Sequence, residues 1–221
     1  MLVAREYRSV MEARQALGTA LDRTSTPSLF DRIDWFESLH EHCFAETDAR
    51  IIQALEGEHQ AWLFLVSPKA GRLSALANWY SFDWTPIFLG PSDLTVRRRL
   101  IEAVAQNLLK DSAQINLYPV TEASGLLLDA FRRAGWFGVR RPMGGRHILH
   151  LNGRTFEEYW AQRPGRLRTL ITRKNRASRF TLSITDRLTD ALWRDYVAVH
   201  DRSWKQPEAN LPFLHALAAR E

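Results

Sequence analysis

One stretch near residue 60 constrains the fold of this chain more than any other feature of its sequence. Every position from 61 to 66 is apolar, so a strand running from Gln60 to Val66 presents hydrophobic side chains on both of its faces. A strand of this kind belongs inside a sheet that is covered on both sides. The sequence therefore predicts an α/β protein in which this strand is central.

Hydrophobic periodicity predicts the elements around this strand. We expect strands at 2–7, 50–55, 60–66, 72–80, 114–118, 136–141 and 146–151, and helices at 10–21, 32–44, 93–110 and 124–134. Their order, β-α-α-β-β-β-α-β-α-β-β, is typical of an α/β chain with a mixed sheet (α+β type). The strands at 60–66 and 72–80 are expected in the interior of that sheet.

A related order of elements begins again near residue 150. Helices are predicted at 155–162 and 166–179, separated by Pro164-Gly165, and a strand follows at 180–184. Two more helices are predicted at 189–200 and 211–221. We therefore predict two domains: a complete one at residues 1–150 and the opening part of a second at residues 151–221.

The charge is unevenly distributed between these two predicted parts. Residues 1–150 carry 17 basic and 17 acidic side chains, whereas residues 151–221 carry 13 basic and 8 acidic ones, which accounts for the whole net charge of +5. Such asymmetry favours an anionic partner for the C-terminal part. A basic face that only meets solvent is the alternative reading of the same count.

The single cysteine, Cys43, excludes an internal disulfide. It shares a predicted helix face with Phe36 and Leu39, which indicates a buried structural thiol rather than a nucleophile. The chain has no apolar run long enough to cross a membrane, and its first residues do not resemble a signal peptide. We expect a cytoplasmic protein without membrane insertion.

No histidine spacing in the sequence indicates a metal centre. His40 and His42 are two apart on a predicted helix and point to different faces, while His147 and His150 are three apart in a predicted strand. The sequence also lacks a nucleophile triad spacing, a phosphate-binding P-loop and a dinucleotide fingerprint. We therefore expect no metal.

Four short segments resemble a known superfamily, in the order in which its members carry them. They are PSLFDRIDWF at 27–36, LANWYS at 76–81, RPGRLRTLITRK at 163–174 and HDRSWK at 200–205. Together they resemble the CelD-like and FemAB-like two-domain groups of the GNAT acyltransferases. The resemblance implies one complete GNAT-like domain at 1–150 and a partial second one at 151–221, whose remainder would lie beyond Glu221.

The resemblance also implies a function. It is that of an acyltransferase, an N- or O-acetyltransferase, which moves an acyl group from acetyl-CoA or another acyl-CoA. The acceptor would be an amine or hydroxyl of a small-molecule or glycan precursor, for a polysaccharide or the cell envelope. Two alternatives stay open: a FemAB-like transferase that uses aminoacyl-tRNA, and a non-catalytic fragment or interaction module.

One segment departs from the family pattern. GNAT enzymes bind the CoA pyrophosphate with a glycine-containing basic turn at a helix N-terminus, where backbone N–H groups and the helix dipole favour an anion. The matching segment, 84–93, has two prolines, no basic residue and Asp93 at the predicted helix start. We therefore expect the first domain to be a scaffold that does not bind acetyl-CoA tightly.

Basic residues of the second part are the candidates for binding the donor. Seven cations lie between residues 163 and 179 with no acid among them. We predict that the phosphate-bearing cofactor contacts Arg166, Arg173, Lys174 and Arg176. Arg166, Arg173 and Arg176 recur near helical spacing and are expected on one face.

Two further sets complete the predicted site. Tyr196 and His200 are four apart on one helix, so we predict them as the catalytic pair, the His as base and the Tyr as proton donor. The alternative is that Tyr196 packs at the core edge and His200 ends the helix. The predicted substrate-binding residues are Trp79, Tyr80, Trp204 and Lys205, with aromatic core packing as the alternative.

Overall fold

Strands and helices alternate along most of the computed structural model, which describes residues 1–120, 123–144, 149–178, 181–204 and 206–220. The strands in these residues are β1 (Leu2–Tyr7), β2 (Asp48–Glu56), β3 (His59–Lys69), β4 (Arg72–Ala75), β5 (Ile87–Leu89) and β6 (Gln114–Asn116). The α-helices are α1 (Val10–Leu17), α2 (Ile33–Cys43), α3 (Leu94–Leu108), α4 (Ser124–Arg133), α5 (Phe156–Ala161), α6 (Gly165–Ala177), α7 (Asp190–Asp201) and α8 (Leu211–Arg220).

The strands form one mixed sheet in the order β1-β2-β3-β4-β6. The first four of these pair antiparallel, and β6 lies parallel to β4 after a crossover that contains α3. The predicted mixed α/β architecture is confirmed. The expectation that the strands near 60–66 and 72–80 lie in the interior is confirmed as well, because β3 and β4 each have neighbours on both sides.

The strand after β3 is interrupted, which the sequence pattern did not predict. Because β2 pairs with β3 from one end to the other, β4 and β5 must share the opposite edge of β3. The predicted strand at 72–80 therefore ends at Ala75, and the chain leaves the sheet from 76 to 86 before β5 returns to it. In the gap, the Phe64 carbonyl accepts hydrogen bonds from the Leu76 N–H and the Trp84 indole N–H, both at 3.0 Å.

A glycine permits the return of β5 to the sheet. Gly90, directly after β5, has φ +78°, and a Cβ at this position would lie 2.4 Å from the Glu58 carbonyl oxygen. Any other residue would clash there with the turn between β2 and β3. Gly90 therefore fixes where β5 ends against that turn.

The core forms around β3. All six residues from 61 to 66 are fully or almost fully buried, so both faces of this strand are covered as predicted. On one face Phe64 stacks on Phe36 of α2, with the ring centroids 4.0 Å apart and the planes almost parallel. The interior of the sheet is thus held by apolar contact on a strand whose backbone is hydrogen-bonded along both edges.

A buried arginine links three parts of the first unit. Arg50 of β2 is only 6% exposed, and its guanidinium donates to Ser112 at 3.0 Å and to both carboxylate oxygens of Asp111 at 2.8 and 2.9 Å. It also bonds Glu6 of β1 at 3.1 Å. The network joins β1 and β2 to the turn between α3 and β6, and satisfies a buried charge that would otherwise destabilise the fold.

The chain divides into two compact units. The first contains residues 1–140 and 189–221, and the second contains residues 141–188. The predicted boundary near residue 150 stays a prediction, but α7 and α8 group with the first unit. Within that unit Phe213 of α8 is fully buried and meets Trp35 of α2 edge-on, with centroids 5.3 Å apart.

Three expected strands do not form in the described residues. No strand forms at residues 136–141, 149–151 or 181–184. Residues 146–148 and 180, which belong to the strands predicted at 146–151 and 180–184, lie outside the described residues. Apart from Trp136, which packs against the core, the apolar residues of the three described segments are exposed, as in Phe137 at 93% and Ile184 at 91%. Apolar alternation favours a strand only where a neighbouring strand accepts its backbone hydrogen bonds.

Removing the central aromatic ring is expected to destabilise the first unit strongly. Phe64→Ala deletes the stacked ring at the middle of β3, and a loss of about 3–5 kcal/mol in the free energy of unfolding is expected from urea denaturation. Phe137→Ala, at an exposed ring, is the control and should change it by less than about 0.5 kcal/mol. Equal effects of the two variants would contradict this account of the core.

The Asp111–Arg50 contact predicts an acid-dependent loss of stability. Partial burial opposes ionisation of Asp111, but the hydrogen bond and charge of Arg50 prevail and lower the pKa of Asp111 below its usual value. A lowered folded-state pKa stabilises the protein above the unfolded-state pKa, and the contribution is lost as the pH falls below about 4. Asp111→Asn should therefore be less stable at neutral pH and show a weaker pH dependence below pH 4 in urea denaturation. Asp129→Asn is the surface control, and an identical pH profile in Asp111→Asn and the wild type would contradict the assignment.

Candidate functional site

The interruption between β4 and β5 places Tyr80 outside the sheet. Asn78 forms the turn that does so: its side-chain oxygen accepts from the Tyr80 N–H at 2.9 Å, and its own N–H donates to the Ser81 hydroxyl at 3.1 Å. An asparagine that bonds the backbone two residues further on favours such a turn over a continued strand. The Asn-x-Tyr sequence thus has a structural role at this position.

Tyr80 is the centre of a polar cluster in the first unit. Its hydroxyl donates to the carboxylate of Glu208, which lies between α7 and α8, and its ring stacks on the buried Phe213. The Asn78 amide donates to the sulfur of Cys43 at 3.4 Å. The cluster therefore combines a phenol, a carboxylate, an amide and a thiol from three separate parts of the sequence.

The environment keeps both acidic protons of the cluster in place at neutral pH. Burial raises the pKa of Tyr80 well above its ordinary value, and the hydrogen bond and charge of Glu208 raise it further, because a phenolate beside a carboxylate is unfavourable. Burial also raises the pKa of the Cys43 thiol, against the effect of the Asn78 hydrogen bond. Tyr80 is therefore a protonated phenol, and Cys43 is a protonated thiol and a poor nucleophile.

The predicted catalytic pair lies together on α7, close to this cluster. The Tyr196 and His200 rings are 6.2 Å apart between centroids, and Tyr196 also stacks on Trp193 at 5.3 Å. The charge of Tyr196 contributes to the raised pKa of Tyr80, which places the two phenols near each other. Their catalytic role stays a prediction.

The predicted substrate residues differ in their surroundings. Tyr80 belongs to the cluster, whereas Trp79 is 84% and Trp204 is 93% exposed, and neither ring packs on another ring among the described residues. Core packing, the alternative for these aromatics, does not apply to Trp79 or Trp204. Lys205 lies outside the described residues.

The N-terminus of α3 is capped by a carboxylate from the chain itself. The Asp93 carboxylate accepts from the Thr95 and Val96 N–H groups, both at 2.8 Å. These hydrogen bonds, with that of Val96 the largest effect, lower the pKa of Asp93 below its usual value. The backbone donors with which a helix start binds phosphate are therefore already bonded to a carboxylate, in agreement with the expected scaffold role of this segment.

The predicted donor-binding cations lie on α6, in the second unit. A surface depression of about 520 Å³ runs along one face of this helix, lined by Gly165, Arg168, Thr169, Thr172, Arg173 and Arg176. Arg173 and Arg176 thus share a face, but they share it with Arg168, while Arg166 and Lys174 do not line the depression. Whether any of these residues binds a donor stays a prediction.

Two further features are absent from the described residues. No group of three or more His, Cys, Asp or Glu side chains is arranged there to hold a metal ion. Within the same part of the chain, no helix combines the length and apolarity needed to span a membrane.

Comparisons with known proteins identify no relative of this chain. No protein-family model matches the sequence, and neither a curated protein nor a solved structure is significantly similar to the chain. The geometry around Tyr80 is therefore the basis on which a function can be proposed.

Sequence reasoning missed the partner that completes the cluster. Glu208 stands in a short non-helical segment between two helices, and no periodicity or motif indicated it. Cys43 was expected as a structural thiol, and its half-buried, protonated state agrees with that role. Asn78 lay inside the strand predicted at 72–80, so the sequence analysis did not predict its turn.

Tyrosine titration tests the Tyr80–Glu208 contact. Of the five tyrosines, Tyr80 should ionise late in an ultraviolet absorbance titration, because burial and Glu208 raise its pKa. Glu208→Gln removes the carboxylate charge and should shift that late transition to lower pH, while burial keeps part of the rise. Tyr80→Phe identifies the transition by deleting it. An unchanged titration curve in Glu208→Gln would show that the two groups do not interact.

Proposed function

We propose that this chain is a GNAT-type acyltransferase that transfers an acyl group from a thioester donor, acetyl-CoA or another acyl-CoA, to an amine or hydroxyl. One observation carries the proposal: the Tyr80 hydroxyl, a proton donor, is held on Glu208 beside the interruption between β4 and β5. A leaving thiolate needs such a proton donor. The resemblance of four sequence segments to this superfamily supports the same conclusion.

The sheet topology supports the proposal at the level of architecture. An antiparallel series of strands is followed, through a helical crossover, by a strand parallel to the fourth. In the superfamily that the sequence resembles, the pantetheine arm of the acyl donor enters a slot opened by a splayed pair of central strands. Here the chain departs from the sheet between residues 76 and 86, and Tyr80 lies within that departure.

The proposed acyl transfer passes through a tetrahedral intermediate. The amine or hydroxyl of the acceptor attacks the thioester carbonyl carbon, and its proton passes to a base, for which His200 on α7 is the proposed group. The carbon–sulfur bond of the resulting tetrahedral intermediate then breaks. The thiolate takes the proton of Tyr80 while the protonated base returns one to Tyr80 through solvent, so that no free phenolate is left beside Glu208. Glu208 orients the Tyr80 hydroxyl between turnovers and is a positioning residue.

The acceptor in this proposal is a sugar or another precursor of a polysaccharide or the cell envelope. Trp79 and Trp204 present large rings almost entirely to solvent. Exposed rings of this size offer an apolar surface with a polar edge, which suits the apolar face of a sugar ring. The family resemblance and these two exposed rings support a sugar as the acceptor.

Loss of the Tyr80 hydroxyl is expected to slow the reaction. With the full chain, acetyl-CoA and a panel of amines and amino sugars, Tyr80→Phe should lower the rate of thiol release by about 10²–10⁴-fold, the usual contribution of a general acid. Tyr159→Phe is the matched control and should keep the wild-type rate.

Two results would contradict the proposal. An undiminished rate in Tyr80→Phe would remove Tyr80 from the reaction. No transfer to any acceptor by the folded wild-type chain would favour the alternative of a non-catalytic interaction module.

A further inference from the structure

The second unit concentrates positive charge to an unusual degree. Of the 30 Lys and Arg residues in the chain, 11 lie between residues 141 and 188, together with three of the 25 acidic residues, so this unit has a net charge of +8. The first unit is left with −3. A difference of this size over 48 residues provides strong attraction to an anionic surface.

Much of that charge is on α6 and is not neutralised within the described residues. The helix carries Arg166, Arg168, Arg173, Lys174 and Arg176, and it contains no acid. None of these five side chains forms an ion pair with any other described residue, and every residue of the helix is exposed. The cations are therefore available to an external anion.

The same helix carries an apolar stripe beside its cations. Leu167, Leu170 and Ile171 recur at helical spacing, so they share one face, and each is 39–40% exposed. Arg166 and Lys174 lie four residues to either side of Leu170, in the same row of the helix surface. The stripe is thus flanked by cations, an arrangement typical of helices that lie in the plane of a membrane interface.

Exposed aliphatic side chains continue this character elsewhere in the second unit. Leu149, Leu151, Leu182 and Ile184 are all more than half exposed. A nucleic-acid backbone would use the cations but not these apolar groups, whereas the headgroup and acyl layers of a bilayer use both. The combination favours a lipid surface over a nucleic acid.

We propose that the second unit binds the surface of an anionic lipid bilayer through α6. Leu167, Leu170 and Ile171 enter the boundary between headgroups and acyl chains, and Arg166 and Lys174 contact lipid phosphates along their long side chains. The helix lies on the membrane and does not cross it. This surface goes beyond the proposed acyl transfer and does not depend on it, since binding needs no acyl donor.

Vesicle sedimentation tests this surface with the full chain. The wild type should sediment with vesicles of phosphatidylcholine and phosphatidylglycerol, should sediment far less with pure phosphatidylcholine, and should be released by salt. Arg166→Glu together with Lys174→Glu should weaken binding by about 30-fold or more, since each cation near the surface contributes about a factor of five. Arg5→Glu together with Arg72→Glu makes the same charge change at exposed positions of the first unit and should retain most of the binding.

A second variant separates the apolar contribution. Leu170→Ser should weaken vesicle binding at constant charge, and Leu94→Ser, at an exposed leucine of α3, should not. Circular dichroism and the thermal midpoint of each variant show whether it is folded. Because the charge-reversal pair changes only exposed side chains, it tests the proposal even if Leu170→Ser does not fold.

Three outcomes would overturn the proposal. They are no binding to anionic vesicles, equal binding to neutral and anionic vesicles, and equal loss in both charge-reversal pairs. Titration with a short RNA and with CoA identifies the ligand in the first case. Binding of either, lost in the α6 pair without any vesicle binding, would assign the cations to a nucleic acid or a small phosphate donor instead.

Discussion

Hydrogen bonding along the two edges of β3 determines how the rest of the first unit is arranged. One edge is paired with β2 over its whole length, so every other strand that reaches β3 must share the second edge. Two short strands do so, and the chain between them has to leave the sheet. The Phe64 carbonyl remains satisfied because Leu76 and Trp84 donate to it from either end of that departure.

The polar cluster follows from this interruption. A continuous strand would have kept residues 78 to 81 in the sheet, with side chains alternating between its two faces. The turn at Asn78 instead holds Tyr80 where Glu208 and Phe213 approach it from the segment around α8. The burial of Phe213 against Trp35 anchors that segment, so the placement of Glu208 beside Tyr80 depends on contacts of the apolar core.

The sequence predicted the fold best where a residue pattern is compatible with only one structural environment. The doubly apolar run at 61–66 can be stable only in a covered interior strand, and that prediction is confirmed. The run at 72–80 was extended too far, because side-chain alternation does not reveal that Asn78 bonds its own backbone. The strand expected at 136–141 and the described part, 181–184, of the strand expected at 180–184 do not form for another reason: a strand needs a partner edge, and periodicity does not supply one.

The candidate site was only partly predictable for a related reason. Tyr196 and His200 followed from helical spacing, and Tyr80 from a local sequence, since both signals are short-range. Glu208 reaches Tyr80 across 128 positions of sequence, and only tertiary packing brings the two together. On α6 the composition indicated an anion-binding surface, and helical spacing predicted that Arg166, Arg173 and Arg176 share one face. In the structure Arg168, not Arg166, lines the depression with Arg173 and Arg176.

Glu208 and Tyr80 are in direct contact because the interruption of the sheet places Tyr80 outside it. A double-mutant cycle with Tyr80→Phe, Glu208→Gln and the combined variant measures their coupling in the free energy of unfolding of the full chain. Residues in direct contact should show a coupling of at least about 0.5 kcal/mol, with the second substitution adding little once the first is made. Additive effects of the two substitutions would contradict the account.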